Sequence, residues 1–452
     1  MTERIRDYIV VKEISIPHAS IGLYKKSDSY VIYRYAARGK ISNFVSNYEL
    51  VDNTKSSLIP MDLEHGYEIL DRIQQGMSFS DTFMFYKNRT KDADALPATQ
   101  SDNEHKFTST GVKFWRHQEQ LFNYKNNNPS TVISTHISPE GACNLKCPYC
   151  SVTYRDTHTR IPMDIIQDYV LKLKTRGLKA VILTGGGEPT SYKHFNELVR
   201  WIYAQDLSVA VVTNGSKIYW DKVEEDVCKM FTWVRVSINI YDGWVDKIAL
   251  PLARFDEKTT TIGCSMVYTV ENQASDEIVS DRVELLKKAS LVATNCGAVY
   301  IRMLPNCLLN QENLINQHHS LDDILKQVND KRFFHQYKVH GAPNTDVCHQ
   351  SYFRPYLSEE VHKETGLPGT VYPCDSVVLN DAYQFYAEEY QLCHASDVLD
   401  YLDKTITAKF NPREQCKGCV HTGNVNMLDD WVNKGIDRFD EFPTPLTHEN
   451  FV

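Results

Sequence analysis

Residues 179–189 read KAVILTGGGEP. Ala180 to Leu183 is an apolar run with no polar alternation, closed by three glycines. Such a run is a strand covered on both faces, as in a parallel sheet. Reading outward, HFNELVRWIYAQ (194–205) is an amphipathic helix and LSVAVVTNGS (207–216) a second apolar strand. VEEDVCKMF (223–231) is a helix, followed by strands WVRVSINIYDG (233–243) and TIGCSMVYTV (261–270). DRVELLKKASLVATN (281–295) is a helix and AVYIRMLPN (298–306) a strand; upstream, VISTHIS (132–138) is a strand and 162–176 a helix, with Pro162 at its first turn. Strand and helix alternate, so the sequence predicts an α/β fold: a doubly wound sheet, or a full or partial (β/α) barrel. Both bind ligands at the C-terminal ends of the strands.

The flanks differ. Residues 1–130 carry β-like runs DYIVVKEI (7–14), SIGLYKKSDSYVIYRY (20–35) and FVSNYELV (44–51), then a helix-like stretch at 61–76. They are read as an N-terminal α+β domain. Residues 131–305 hold the alternating pattern, 306–345 a helix (SLDDILKQVND) and linker, 346–425 an irregular cysteine-bearing region, and 426–452 a tail. The chain's 452 residues suit about three domains at roughly 150 each. With 42% hydrophobic and 24% charged residues, a sizeable core is expected. No run of 18 apolar residues exists and the N-terminus lacks the features of a secretory signal, so a cytoplasmic protein with no membrane span is expected. The net charge of -9 argues against non-specific nucleic-acid binding.

Of twelve cysteines, three lie in ISPEGACNLKCPYCSVTYRDTHTRIP (137–162), as Cys143-x3-Cys147-x2-Cys150 just after a strand. Three thiolates in one short loop can hold three corners of a [4Fe-4S] cubane, leaving the fourth iron free for a small molecule with an amine and a carboxylate. Structural zinc is the alternative, but it takes four ligands in paired C-x2-C units, and no fourth ligand is suitably spaced here. The segment Thr184-Gly185-Gly186-Gly187-Glu188-Pro189 fits neither G-x-G-x-x-G nor G-x4-G-K-[ST]. Its glycines allow close backbone approach to a ligand, or simply form a tight turn. Thr213, Asn214 and Gly215 end the next strand; Ser237 and Asn239, two apart, share one face of the strand after it. Cys228, Cys264, Cys296 and Cys307 are read as small buried hydrophobes.

The C-x3-C-x-aromatic-C loop and the GGEP-like element resemble the radical S-adenosylmethionine (SAM) superfamily. That resemblance implies a partial (β/α)6 barrel over roughly 131–305, with the cluster at its mouth. It also implies reductive cleavage of SAM to methionine and a 5′-deoxyadenosyl radical, which takes hydrogen from a substrate. Tyr149 would lie near the adenine. Gly185, Gly186, Gly187 and Glu188 would bind the methionine moiety, the last three at its amino group. Thr213, Asn214, Ser237 and Asn239 would contact ribose and carboxylate, and Arg302 the methionine carboxylate. Turn formation for 213–215 and a surface ion pair for Arg302 are the plain alternatives. An external one-electron reductant of flavodoxin or ferredoxin type is implied.

Cys348, Cys374, Cys393, Cys416 and Cys419, with Cys416-Lys-Gly-Cys419 as a C-x2-C unit and Gly369 five before Cys374, resemble the SPASM and twitch extensions that hold auxiliary [4Fe-4S] clusters. The full SPASM pattern continues past Cys419; here no cysteine follows, so one auxiliary cluster is expected, on Cys348, Cys374, Cys416 and Cys419, with Cys393 as alternate to Cys348. Zinc is the rival occupant. The substrate expected first is a peptide or protein. A sugar, nucleoside or amino acid is second, and a non-catalytic iron–sulfur electron carrier third. Residues 1–130 would recognise a peptide or serve only packing. No residue is assigned as catalytic from sequence.

Overall fold

The computed structural model describes 9–16, 19–26, 29–36, 49–50, 70, 74, 110–238, 254–256, 258–268, 276–338, 340–380, 388–406, 409–439 and 446–452. The chain divides into two compact units, Met1–Ala98 and Thr99–Val452. The first contains an antiparallel sheet in the order β1 (Ile9–Ile16), β2 (Ala19–Lys26), β3 (Ser29–Ala36), β4 (Glu49–Leu50), on the runs expected to be β. Most of the helix expected at 61–76 lies outside the described residues; Leu70 and Gln74 are helical.

The second unit is built on a ten-stranded sheet. β5 (Ser134–Ile137), β6 (Ala180–Leu183), β7 (Ser208–Thr213), β8 (Phe231–Ser237), β9 (Thr261–Tyr268), β10 (Tyr300–Pro305) and β11 (Phe333–His335) are parallel neighbours in sequence order. A doubly wound sheet reverses its strand order at a switch point; this series has no reversal. The helices supply one cover. Phe195–Tyr203 buries Phe195, Leu198, Val199 and Ile202, and Met163–Lys174 buries Ile166, Tyr169, Val170 and Leu173, each an i, i+3, i+4, i+7 stripe.

Residues 346–425, expected to be irregular, contain three further strands. β12 (Tyr356–Val361) runs parallel to β5, β13 (Pro368–Tyr372) is antiparallel to β12, and β14 (Cys393–His394) pairs with β13. Their long-range pairing is what makes them strands; locally they are short and interrupted by Gly366, Pro368 and Gly369. Residues 110–125, grouped by sequence with the N-terminal region, pack in the second unit: Trp115 lies edge-on to Trp431 at 6.2 Å and Phe114 to Phe353 at 5.7 Å.

Along β6 to β10 the residues alternate between two surroundings. Val181, Leu183, Val209, Val211, Val234, Val236, Cys264, Met266, Ile301 and Met303 join the core shared with the helices. The intervening residues face the opposite side. There, Ala180, Ile182, Ala210 and Trp233 close on Phe451, whose ring meets Trp233 at 5.4 Å. This apolar plug floors an inner face that is polar at the next levels. Arg235, Gly263 and Tyr300 are in register, then Ser237, Ser265 and Arg302.

Gly263 is there because Tyr300 crosses it: a Cβ would stand 1.9 Å from the Tyr300 ring. Gly263→Ala is expected to cost about 1–3 kcal/mol by overpacking, seen as a lowered thermal midpoint. An unshifted melt would show that the ring moves aside freely.

Candidate active site

The C-terminal ends of β5, β6 and β7 carry the cysteine loop and the glycine segment, and the backbone ties them together. Gly187 N–H donates to Glu140 O (3.0 Å), Glu188 N–H to Ala142 O (2.7 Å), and Gly186 N–H to Ser138 Oγ (2.8 Å). The glycines permit this approach: a Cβ on Gly187 would meet Ala142 O at 2.1 Å, and one on Gly186 would meet Glu359 Oε1 at 1.9 Å.

Glu188 is 3% exposed and accepts four hydrogen bonds: at Oε1 from Thr190 N (3.2 Å), Thr190 Oγ1 (2.6 Å) and Thr213 Oγ1 (2.6 Å), and at Oε2 from Asn214 N (2.7 Å). Its carboxylate therefore clamps the end of β6 to the end of β7. Burial pushes its pKa up, while the four donors oppose the shift. Asn214 Nδ2 donates to Asn144 Oδ1 (2.9 Å) and approaches Cys143 Sγ at 3.8 Å, and Asn144 Nδ2 donates to Ser216 Oγ (2.8 Å).

Cys143, Cys147 and Cys150 are half-buried. N–H groups already point at two of the sulfurs: Leu145 N at 3.4 Å from Cys143 Sγ, and an Arg155 guanidinium nitrogen at 3.6 Å from Cys150 Sγ. Arg155 also donates to Gly141 O (2.7 Å) and Val152 O (2.9 Å), which holds the loop's curvature. Burial raises the thiol pKa of Cys147 most, followed by the charges of Cys150 and Cys143. Three thiolates so placed repel one another, and bound cationic iron relieves this. Donors aimed at sulfur and thiols that feel one another's charge suit an iron–sulfur cluster.

Residues 137–248 match the family model of the radical SAM superfamily. This stretch is a radical SAM domain. The cofactors of that superfamily are a [4Fe-4S] cluster and SAM, and the sulfur donors just described suit them. Over 84 residues, 19% of this chain and 30% of the relative, the domain is 32% identical to an S-adenosylmethionine-dependent nucleotide dehydratase of Selenomonas ruminantium. Over 124 residues, 26% of each chain, it is 27% identical to the nucleotide dehydratase of Lacinutrix mariniflava. The match thus spans less than a third of either relative. Among solved structures, SuiB of Streptococcus suis bound to precursor peptide SuiA covers 92% of this chain and 97% of its own, at 13% identity and a TM-score of 0.44.

The C-terminal cysteines separate into two groups. Cys374 feels the charges of Cys419, Cys348 and Cys416, and Cys348 and Cys416 each feel Cys419; burial pushes all four thiols up. Cys416 follows helix Pro412–Gln415, and Cys419 is fixed by paired backbone bonds with Gly341. Cys393 sits apart, on β14 near Asp397 and Asp400. Cys228, Cys264 and Cys296 are buried in the core, as expected of small hydrophobes; Cys307 is only half-buried and feels the charges of Lys338 and Arg302.

Sequence reasoning missed a second polar set, on the inner face. His136 Nδ1 bonds Asp375 Oδ2 at 3.2 Å, His421 Nε2 lies 3.8 Å from Asp375 Oδ1, and His421 Nε2 bonds Ser376 Oγ at 3.2 Å. Ligand atoms of Cys374, Asp375 and His421 fall within 4.8 Å of one another, so this set adjoins the four-cysteine group. His136 and His421 are both pushed down by burial. Arg235 carried the one legible signal, since it shares the period-two face with Ser237. The proximity of His136 to Asp375, 239 positions apart, has no local signature. Ser237 is half-buried beside Ser265, and Asn239 lies outside the described residues. No helix among the described residues is long and apolar enough to cross a membrane.

Proposed function

We propose that the chain is a radical SAM enzyme whose Cys143, Cys147 and Cys150 hold a [4Fe-4S] cluster that binds SAM. The observation that carries this is the fastening of the cysteine loop to Gly186–Glu188 by three backbone N–H donors. When bound, the cluster supplies one electron, delivered by an external flavodoxin or ferredoxin type reductant, that cleaves SAM to methionine and a hydrogen-abstracting 5′-deoxyadenosyl radical. The protein orients the cofactors and excludes water. Gly185, Gly186 and Gly187 present backbone groups to the methionine moiety. Thr213 and Asn214, locked by Glu188, hold the strand end against it, and Tyr149 stands beside the adenine. Spectroscopic titration of the anaerobically reconstituted protein with SAM tests this: a change at the cluster is expected, and a silent cluster would leave an electron carrier instead.

On this reading β5 to β10 form a partial (β/α)6 barrel within 131–305, and 346–425 is a SPASM/twitch-like portion with one auxiliary [4Fe-4S] cluster on Cys348, Cys374, Cys416 and Cys419. The mutual proximity of those four thiols, with Cys393 elsewhere, supports this ligand set. Eight irons per chain are then expected, from two four-iron clusters. Four irons with one zinc would give the second site to zinc.

A peptide or protein remains the first substrate reading, with residues 1–130 as its recognition element. A small anionic molecule is the second. It is favoured by the nucleotide-acting relatives aligned with the domain and by the cations of the inner face.

A further inference from the structure

Three cations come to the inner face from separate elements. Arg235, Arg302 and Lys338 come from β8, from β10 and from the segment after β11. Among the described residues none of the three lies within ion-pair distance of a carboxylate. Arg235 hydrogen-bonds Tyr300 and stacks its guanidinium over Trp233 at 5.2 Å. Arg302 has a buried Nε with no partner. The charges acting on Arg302 include Arg235 and Asp375, and Lys338 feels both Arg302 and Asp375. All three cations are half-buried, and the neighbouring Asp375 side chain is 34% exposed. Half-buried cations and a partly exposed carboxylate are within reach of a ligand.

Asp375 is a carboxylate that acts on both Arg302 and Lys338, and His136 and His421 already flank it. Burial and the Arg235 charge lower the pKa of Arg302 to about 9, and burial lowers that of Lys338. An anion entering here would relieve the repulsion and fill the empty donors. SAM does not meet that need by itself: its sulfonium and amino group are positive and only its carboxylate is negative. After burial, the charges acting on Arg302 are those of Arg235, Tyr300, Asp375 and Cys307, none of which belongs to the cysteine loop.

We propose that Arg235, Arg302 and Lys338 form a binding site for an oxyanion of the substrate, a phosphate or a carboxylate, distinct from the site of SAM. This rests on the radical SAM reading and moves Arg302 from the cofactor, where the family resemblance put it, to the substrate. His136, with Nδ1 on Asp375 and a buried Nε2 lacking a partner, adds a polar contact for a neighbouring group of the same substrate.

The test uses the anaerobically reconstituted full chain, with inorganic phosphate and succinate as probes, titrated calorimetrically with and without saturating SAM. Millimolar binding of one probe, undiminished by SAM, is expected. The tighter probe identifies phosphate or carboxylate as the group recognised. Arg302→Gln and Lys338→Gln, checked for an unchanged thermal midpoint, should each weaken it about tenfold or more. Displacement of the probe by SAM would return Arg302 to the methionine carboxylate and overturn the proposal. So would a wild-type chain that binds neither probe, or equal binding by the variants. The cluster spectrum of the same samples separates the two questions. A SAM-induced change with no anion binding sinks this inference alone, and a silent cluster sinks the radical SAM reading.

Discussion

Cys147→Ala is expected to form no detectable 5′-deoxyadenosine. The loop offers three thiols to a cluster that leaves one iron open for SAM, so removing one leaves two iron atoms without protein sulfur. Cys147 is the middle thiol of the loop, and its pKa is raised by burial first and then by the charges of Cys150 and Cys143. Alanine keeps the backbone and the apolar contacts, so the circular dichroism spectrum should be retained while about four irons per chain are lost. Chromatography of the acid-quenched reaction measures the product, and colorimetry measures the iron. Undiminished 5′-deoxyadenosine from this variant would refute the assignment of the loop.

Gly187→Ala is expected to have an effect nearly as large without touching a ligand. Its Cβ would stand 2.1 Å from Ala142 O, 2.6 Å from Gly141 C and 2.7 Å from Glu140 O. All three are backbone atoms of the cysteine loop, so no side chain can rotate away. Relief requires the loop to lift off, which breaks the Gly187-to-Glu140 and Glu188-to-Ala142 hydrogen bonds. The variant should lose the SAM-induced change in the cluster spectrum, and its iron at the first site should fall while the auxiliary iron stays. Gly423→Ala is the control. Gly423 sits in helix Thr422–Lys434 with nothing within 4 Å of a Cβ, so alanine there should be neutral or stabilising by up to about 1 kcal/mol. An unaltered SAM response in Gly187→Ala would mean that the loop does not depend on this close approach.

Much of the site was legible because its signals are local. The Cys143, Cys147, Cys150 spacing, the glycines after β6, and Thr213 and Asn214 after β7 all sit at the ends of apolar runs, where a parallel sheet exposes its ligand-binding edge. The role of Glu188 was less legible: its carboxylate is taken up by Thr190, Thr213 and Asn214, a clamp that appears only once two strands lie side by side.

By itself the sequence determined the strand–helix alternation, because burial on both faces of a parallel strand demands unbroken apolar runs such as AVIL. It also determined the thiol loop, because three metal ligands within eight residues need no distant partner. Only the tertiary structure decided that β12 extends the sheet beside β5, that Phe451 plugs its inner face, and that His136 bonds Asp375. Those are contacts between residues up to hundreds of positions apart, fixed by strand register and long-range packing, and no short-range pattern encodes them.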